Sequence, residues 1–150
     1  MSEMLGNQYF MARNYEDAQK YLLPVYKNDP SNKLVKRKLV ICSFMTGNVS
    51  RAFDLFFELI NEDIEFIIKA DPIFDDCPCQ EIITELNLEK EVDIKESDQF
   101  ILRGLIWLFC NPEQSLALFK KAGELEPNNS KITKTINVIN RYIETEKESV

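Results

Sequence analysis

The chain contains no histidine. That absence excludes Ser-His-Asp triads, imidazole proton shuttles and His-ligated zinc. Glycine is scarce: Gly6, Gly47, Gly104 and Gly123 stand too far apart to build a phosphate-cradling loop, so P-loop and dinucleotide fingerprints are missing. The longest apolar run, Leu105 to Cys110, falls far short of the ~20 residues a membrane span needs. No signal peptide is visible, because Met1 to Phe10 is short, interrupted by polar residues and lacks a basic start. The four cysteines form no regular framework. These features together predict a cytoplasmic protein with reduced thiols and no membrane partner. Positive charge is also in deficit, 18 bases against 25 acids for a net of −7. That balance speaks against general binding to nucleic acid or to acidic membranes.

What is present is a length of 150 residues, suited to one compact domain or a short repeat array. A globular chain of this size buries about 70% of its unfolded surface and needs no disulfide or metal to hold it. Helical spacing recurs throughout. Leu5, Tyr9 and Ala12 share a face, as do Ala18, Leu22 and Val25, then Ala52, Phe56 and Leu59, then Ser115, Phe119 and Ala122. Proline and glycine fall between these stretches, except Pro24, which is expected to kink or shorten its helix. The chain reads as all-α.

The pattern repeats. An offset of 34 places Leu5 on Leu39, Asn14 on Asn48, Ala18 on Ala52 and Leu22 on Phe56. An offset of 97 places Leu5 on Leu102, Asn14 on Asn111, Ala18 on Ser115, Leu22 on Phe119 and Pro30 on Pro127. Each of the three asparagines precedes a helical stretch, where its side-chain oxygen can accept an orphan backbone N–H. Asn111-Pro112-Glu113 adds a proline at the first helical position and an acid in the first turn.

These residues resemble the tetratricopeptide repeat, a 34-residue helix–turn–helix unit. The first segment carries Leu5-Gly6, Tyr9, Tyr15, Ala18, Leu22 and Pro30. The second carries Leu39, Gly47, Ala52 and Phe56, with Val40 and Ser43 where the family has Gly and Tyr. The third carries Leu102, Ser115, Phe119, Ala122 and Pro127. The family tryptophan near the start of the first helix is absent from all three. The small residues suit close helix crossings, with Phe56 and Phe119 filling the space beside them.

The resemblance implies an alpha-alpha superhelix of helical hairpins in a single domain over 1–150. Its repeats fall at about 1–32, 33–66 and 96–129, with a degenerate acidic unit at 67–95 and a C-terminal capping helix at 130–147. The expected hairpins span about 2–28, 33–61 and 97–125. Ser130 is the expected cap of the final helix, whose stripe is Ile132, Ile136, Ile139 and Ile143. Such a polar-backed end keeps the last repeat from exposing its apolar face. Charge follows this layout: residues 61–98 hold 13 acids and three lysines, net −10, and the remainder holds 12 acids and 15 bases, net +3.

No catalytic, metal or cofactor site is expected. Cys77-Pro78-Cys79, with Cys42 35 residues upstream and Cys110 31 downstream, lacks the paired knuckles of a tetrathiolate zinc site. Asp75 and Asp76 would raise, not lower, the pKa of neighbouring thiols. Acidic pairs such as Glu62-Asp63 have no companion motif for acid–base work. The Lys33, Lys36, Arg37, Lys38 cluster reads as a solvated helix start.

The resemblance places the concave face on the first helix of each repeat. Carried over by offset, it comprises Glu3, Asn7, Phe10 and Met11; then Leu34, Arg37, Ile41, Phe44 and Met45; then Phe100, Gly104, Trp107 and Leu108. The expected partner-binding residues are Asn7, Phe10, Met11, Arg37, Ile41, Phe44, Met45, Phe100 and Trp107, an apolar groove for a helical or extended segment of another protein. The family's carboxylate clamp for chaperone tails is not retained. Its five positions hold Glu3, Asn7, Lys38, Ser97 and Ile101, of which only Asn7 matches. Residues 39–59 are also similar to a pentatricopeptide repeat, which would imply RNA binding, although the acidic balance opposes it. Self-association as a structural subunit is a third reading.

Overall fold

The structure, a computed structural model, describes residues 2–71, 78, 81–83 and 95–148. Every regular element among them is helical, and no strand occurs among the described residues. The chain divides into two compact units, Met1–Leu59 and Ile60–Val150.

The first unit holds α1 (Ser2–Met11), α2 (Tyr15–Asn28), α3 (Lys33–Met45) and most of α4 (Val49–Asp63). Short connections fold consecutive helices back on one another, so α1 packs on α2, α2 on α3, and α1 also meets α3. The α1–α2 crossing is tight because Gly6 has no side chain. A Cβ there would stand 2.5 Å from Leu22 Cδ2 and 3.4 Å from the Ala18 carbonyl oxygen. Phe10, Leu22, Leu39, Phe56 and Leu59 form the core, each fully buried. Burial of each such side chain contributes ~1.5–3 kcal/mol.

The second unit holds α5 (Glu65–Ile68), helical residues 81–83, α6 (Glu96–Trp107), α7 (Pro112–Leu125) and α8 (Ser130–Glu148). Here α6 packs on α7 and α7 on α8. Gly104 plays the part of Gly6: a Cβ there would lie 2.9 Å from the Phe119 ring, and Ser115 Oγ donates to the Gly104 carbonyl at 2.6 Å. In α8, Ile132, Thr135, Ile139 and Ile143 are buried, while most of the opposite face is exposed and polar.

Asparagine starts five helices, not three. The Oδ1 atoms of Asn14, Asn32, Asn48, Asn111 and Asn129 accept from the N–H groups of Asp17, Val35, Arg51, Gln114 and Ile132 at 3.1–3.3 Å. The expectation that Ser130 caps the last helix is therefore corrected to Asn129. The 97-residue offset from Asn32 lands on Asn129 and carries that signal.

Pro24 does not shorten α2, which runs through it to Asn28. Its missing N–H costs one bond, to the Lys20 carbonyl, on an exposed turn where little else is lost. The basic cluster is corrected as well. Lys36 and Arg37 are 1% and 4% exposed, because they fall on the packed side of α3 beside Val35 and Leu39. Lys36 Nζ lies 3.7 Å from Glu58 Oε1, and the same carboxylate accepts from the Tyr26 hydroxyl at 2.9 Å, which joins α2, α3 and α4. The expected hairpin at 67–95 falls mostly outside the described residues; Ile67, Ala70, Pro78, Ile82 and Ile83 within it are buried.

Candidate functional site

Helical geometry puts Met4, Asn7 and Met11 on one stripe of α1, at spacings of three and four. The same spacing puts Leu34, Lys38, Ile41 and Met45 on one stripe of α3. The two stripes meet. Lys38 Nζ donates to Asn7 Oδ1 at 2.8 Å and stands 5.5 Å from the Phe10 ring centre. Asn32 Nδ2 donates to Glu3 Oε1 at 3.1 Å and ties the two helix starts together.

The face so formed carries four exposed apolar side chains: Met4 (63%), Met11 (65%), Leu34 (51%) and Met45 (37%). Lys38 and Asn7 supply a half-buried polar pair between them. The turns explain why Met11 and Met45 stand in matching places. After α1, Arg13 takes a left-handed φ of 61°, its N–H bonds Phe10 O, and the Asn14 N–H bonds Tyr9 O. After α3, Gly47 takes φ 80°, its N–H bonds Phe44 O, and the Asn48 N–H bonds Ser43 O. Both are Schellman turns in which the third residue past the helix also caps the next one.

Of the groove residues expected from sequence, the structure exposes Met11 and Met45 and leaves Asn7 and Phe44 half-buried. It buries Phe10, Arg37 and Ile41. Phe10 packs edge-on against Tyr15, with ring centres 5.9 Å apart. Met4 and Lys38 belong to the same face. Their signal was the helical spacing itself, since each lies one residue from a carried-over position.

The third hairpin is built differently. Its turn has no left-handed residue, and the N–H groups of Cys110 and Asn111 both bond Trp107 O, at 2.9 and 2.7 Å. The turn is one residue shorter, so Ser115 and Phe119 match Ala18 and Leu22 at an offset of 97, while Gly104 matches Gly6 at 98. The places of Glu3 and Phe10 are thereby held by Ile101 and Leu108, both buried. Phe100 and Trp107 sit one step off that stripe and are half-buried. Lys121 Nζ of α7 stands 5.8 Å from the Phe100 ring centre.

Chemistry on the thiols and carboxylates is limited. Burial pushes the Cys42 thiol up to about 12, against smaller opposing effects of Arg51 and Lys38. At neutral pH it remains a protonated thiol inside the core. Cys110 is exposed; Cys77, Cys79, Asp75 and Asp76 lie outside the described residues. Among the described residues no cluster of three or more Cys, Asp or Glu could hold a metal ion. Among the same residues no helix is long and apolar enough to cross a membrane. Comparison with protein-family models, curated proteins and solved structures gave no match to this chain.

Proposed function

We propose that this chain is a tetratricopeptide-like helical-repeat module that binds an apolar helical or extended segment of another protein and catalyses no reaction itself. The first contact is the α1–α3 face of the first unit. The observation that carries the reading is the exposure of Met4, Met11, Leu34 and Met45 on one face of a unit whose remaining large aliphatic residues are mostly buried. Exposed apolar side chains gathered on one face mark a contact site more often than scattered single residues do. Methionine suits the task, since its unbranched thioether adapts to partner side chains of varied shape. The two matched turns after α1 and α3 and the five asparagine caps support the repeat reading.

The test compares proteins captured from the source lysate by the native chain and by Met11→Glu/Leu34→Glu. Helical circular dichroism should be unchanged, because both side chains face water. A true partner should be lost by the variant and, once purified, bind it at least about tenfold more weakly. Tenfold is the lower bound, since loss of even one of the two apolar contacts costs ~1.5–3 kcal/mol, at ~1.4 kcal/mol per factor of ten. Identical captured sets with identical affinities would overturn the proposal.

A further inference from the structure

The chain has four methionines, at positions 1, 4, 11 and 45. Met1 lies outside the described residues. The other three are all exposed, all in the first unit, and all on the α1–α3 face. The described core is built from Leu, Ile, Val, Phe, Ala and Cys and uses no methionine at all. This distribution inverts the usual one, in which methionine fills irregular gaps in cores.

We infer that Met4, Met11 and Met45 form a thioether oxidation site, and that their conversion to sulfoxides by a peroxide closes the face to apolar ligands without unfolding the unit. In each step the thioether sulfur attacks one peroxide oxygen. The O–O bond breaks, an S=O bond forms, sulfur is oxidised by two electrons, and the second oxygen leaves as water. The sulfoxide is polar and chiral where the thioether was apolar and flexible, and methionine sulfoxide reductases reverse the change. Because the three sulfurs face water instead of a core, three added oxygens alter the surface and leave the packing of Phe10, Leu22 and Leu39 as it was. The effect on docking rests on the partner-binding reading above; the oxidation itself does not.

The experiment treats the whole chain with hydrogen peroxide and locates the added oxygens by tandem mass spectrometry. Met4, Met11 and Met45 are expected to oxidise as fast in the folded protein as in urea, with circular dichroism unchanged. Protection by folding of an order of magnitude at any two of them, or loss of helix on oxidation, would overturn the inference. The probe for the face is the apolar dye 1-anilinonaphthalene-8-sulfonate. Its fluorescence should fall on oxidation to the level of Met4→Gln/Met11→Gln/Met45→Gln and recover with sulfoxide reductase. It should persist in peroxide-treated Met4→Leu/Met11→Leu/Met45→Leu. If peroxide quenches dye binding equally in that leucine variant, the sensitivity belongs to other groups and the switch is refuted. If the untreated protein binds no dye, the docking reading and the switch built on it both fail, while the mass-spectrometric arm still decides whether the methionines are an oxidation site.

Discussion

Three glycines lie inside helices of the described chain, and the same substitution should stabilise at one of them and not at the other two. Glycine to alanine within a helix gains ~1 kcal/mol from backbone entropy and propensity. At Gly6 the new Cβ would stand 2.5 and 2.6 Å from two carbons of Leu22, and at Gly104 2.9 Å from two carbons of the Phe119 ring. Carbon atoms sit comfortably at about 3.5–4.0 Å, so each pair of helices must part by several tenths of an ångström or more. Neither Leu22 nor Phe119 has any exposed surface into which to retreat. Overpacking of this kind costs ~1–3 kcal/mol. The net expectation for Gly6→Ala and Gly104→Ala is a loss of up to about 2 kcal/mol each. At Gly123 the nearest atoms would be Ile136 Cδ1 at 3.4 Å and Ile132 Cγ2 at 3.5 Å, which is close to ordinary contact. Gly123→Ala should therefore keep most of the propensity gain. Thermal unfolding followed by circular dichroism reads the result, with each kcal/mol worth ~2–4 °C in a chain of this size. If all three variants raise the midpoint together, the α1–α2 and α6–α7 crossings are not set by glycine and the packing argument is wrong.

Asn129→Ala should lower stability by about 1 kcal/mol, as loss of a helix cap does, whereas Ser130→Ala should cost much less; equal effects in thermal melts would put the cap elsewhere. Cys42 should resist alkylation at pH 8 in the folded chain and react in denaturant, because its thiol is pushed up to about 12 by burial; rapid native-state labelling found by peptide mapping would contradict that. The Glu126 carboxyl is held below its usual range, first by the Ser97 hydroxyl beside it, then by Asn129 and Lys95, against a partial opposing effect of burial. A lowered folded pKa gives stability that is present above the unfolded value near 4.5 and is lost as pH falls through the folded value. Glu126→Gln should flatten the acid limb of the stability–pH curve, and an unchanged limb would remove Glu126 from the account.

The positions of α2, α3, α4, α7 and α8 were legible in the sequence because two signals agreed: apolar spacing of three and four, and an asparagine at the boundary. Ala18, Ala52, Ser115 and Ala122 are all fully buried at the crossings their size implied. Gly47 at a left-handed position is legible from residue type, since glycine adopts positive φ without strain. Arg13 in the same conformation is not, because nothing about arginine announces it; only the matching place of Gly47 hints at it. The burial of Lys36 and Arg37 was hidden for a different reason. Charge predicts solvent, and the nearby carboxylate that Lys36 meets, Glu58, belongs to another helix.

The residues of the candidate face depend on the turn more than on the helices. An α-helix advances about 100° per residue, so a one-residue error in offset rotates every carried-over position by that angle. The second helix of the third hairpin keeps the offset of 97 that the asparagines and prolines define, and the sequence signal is strongest there. Its first helix follows an offset of 98, because the turn after Trp107 omits the left-handed residue that Arg13 and Gly47 supply in the other two. The consequence is chemical. At the true offset the stripe matching Glu3, Asn7, Phe10 and Met11 is Ile101, Leu105, Leu108 and Phe109, all four buried. Met11 and Met45 thus have an aromatic, enclosed counterpart in Phe109 instead of an exposed one. Among the described residues the exposed large apolar side chains lie on α1 and α3, apart from Leu125 at the end of α7. Substitutions at Met11 and Leu34 should therefore weaken binding more than the same substitutions at Phe100 and Trp107, and the reverse order would show that the shorter turn had been given the wrong weight.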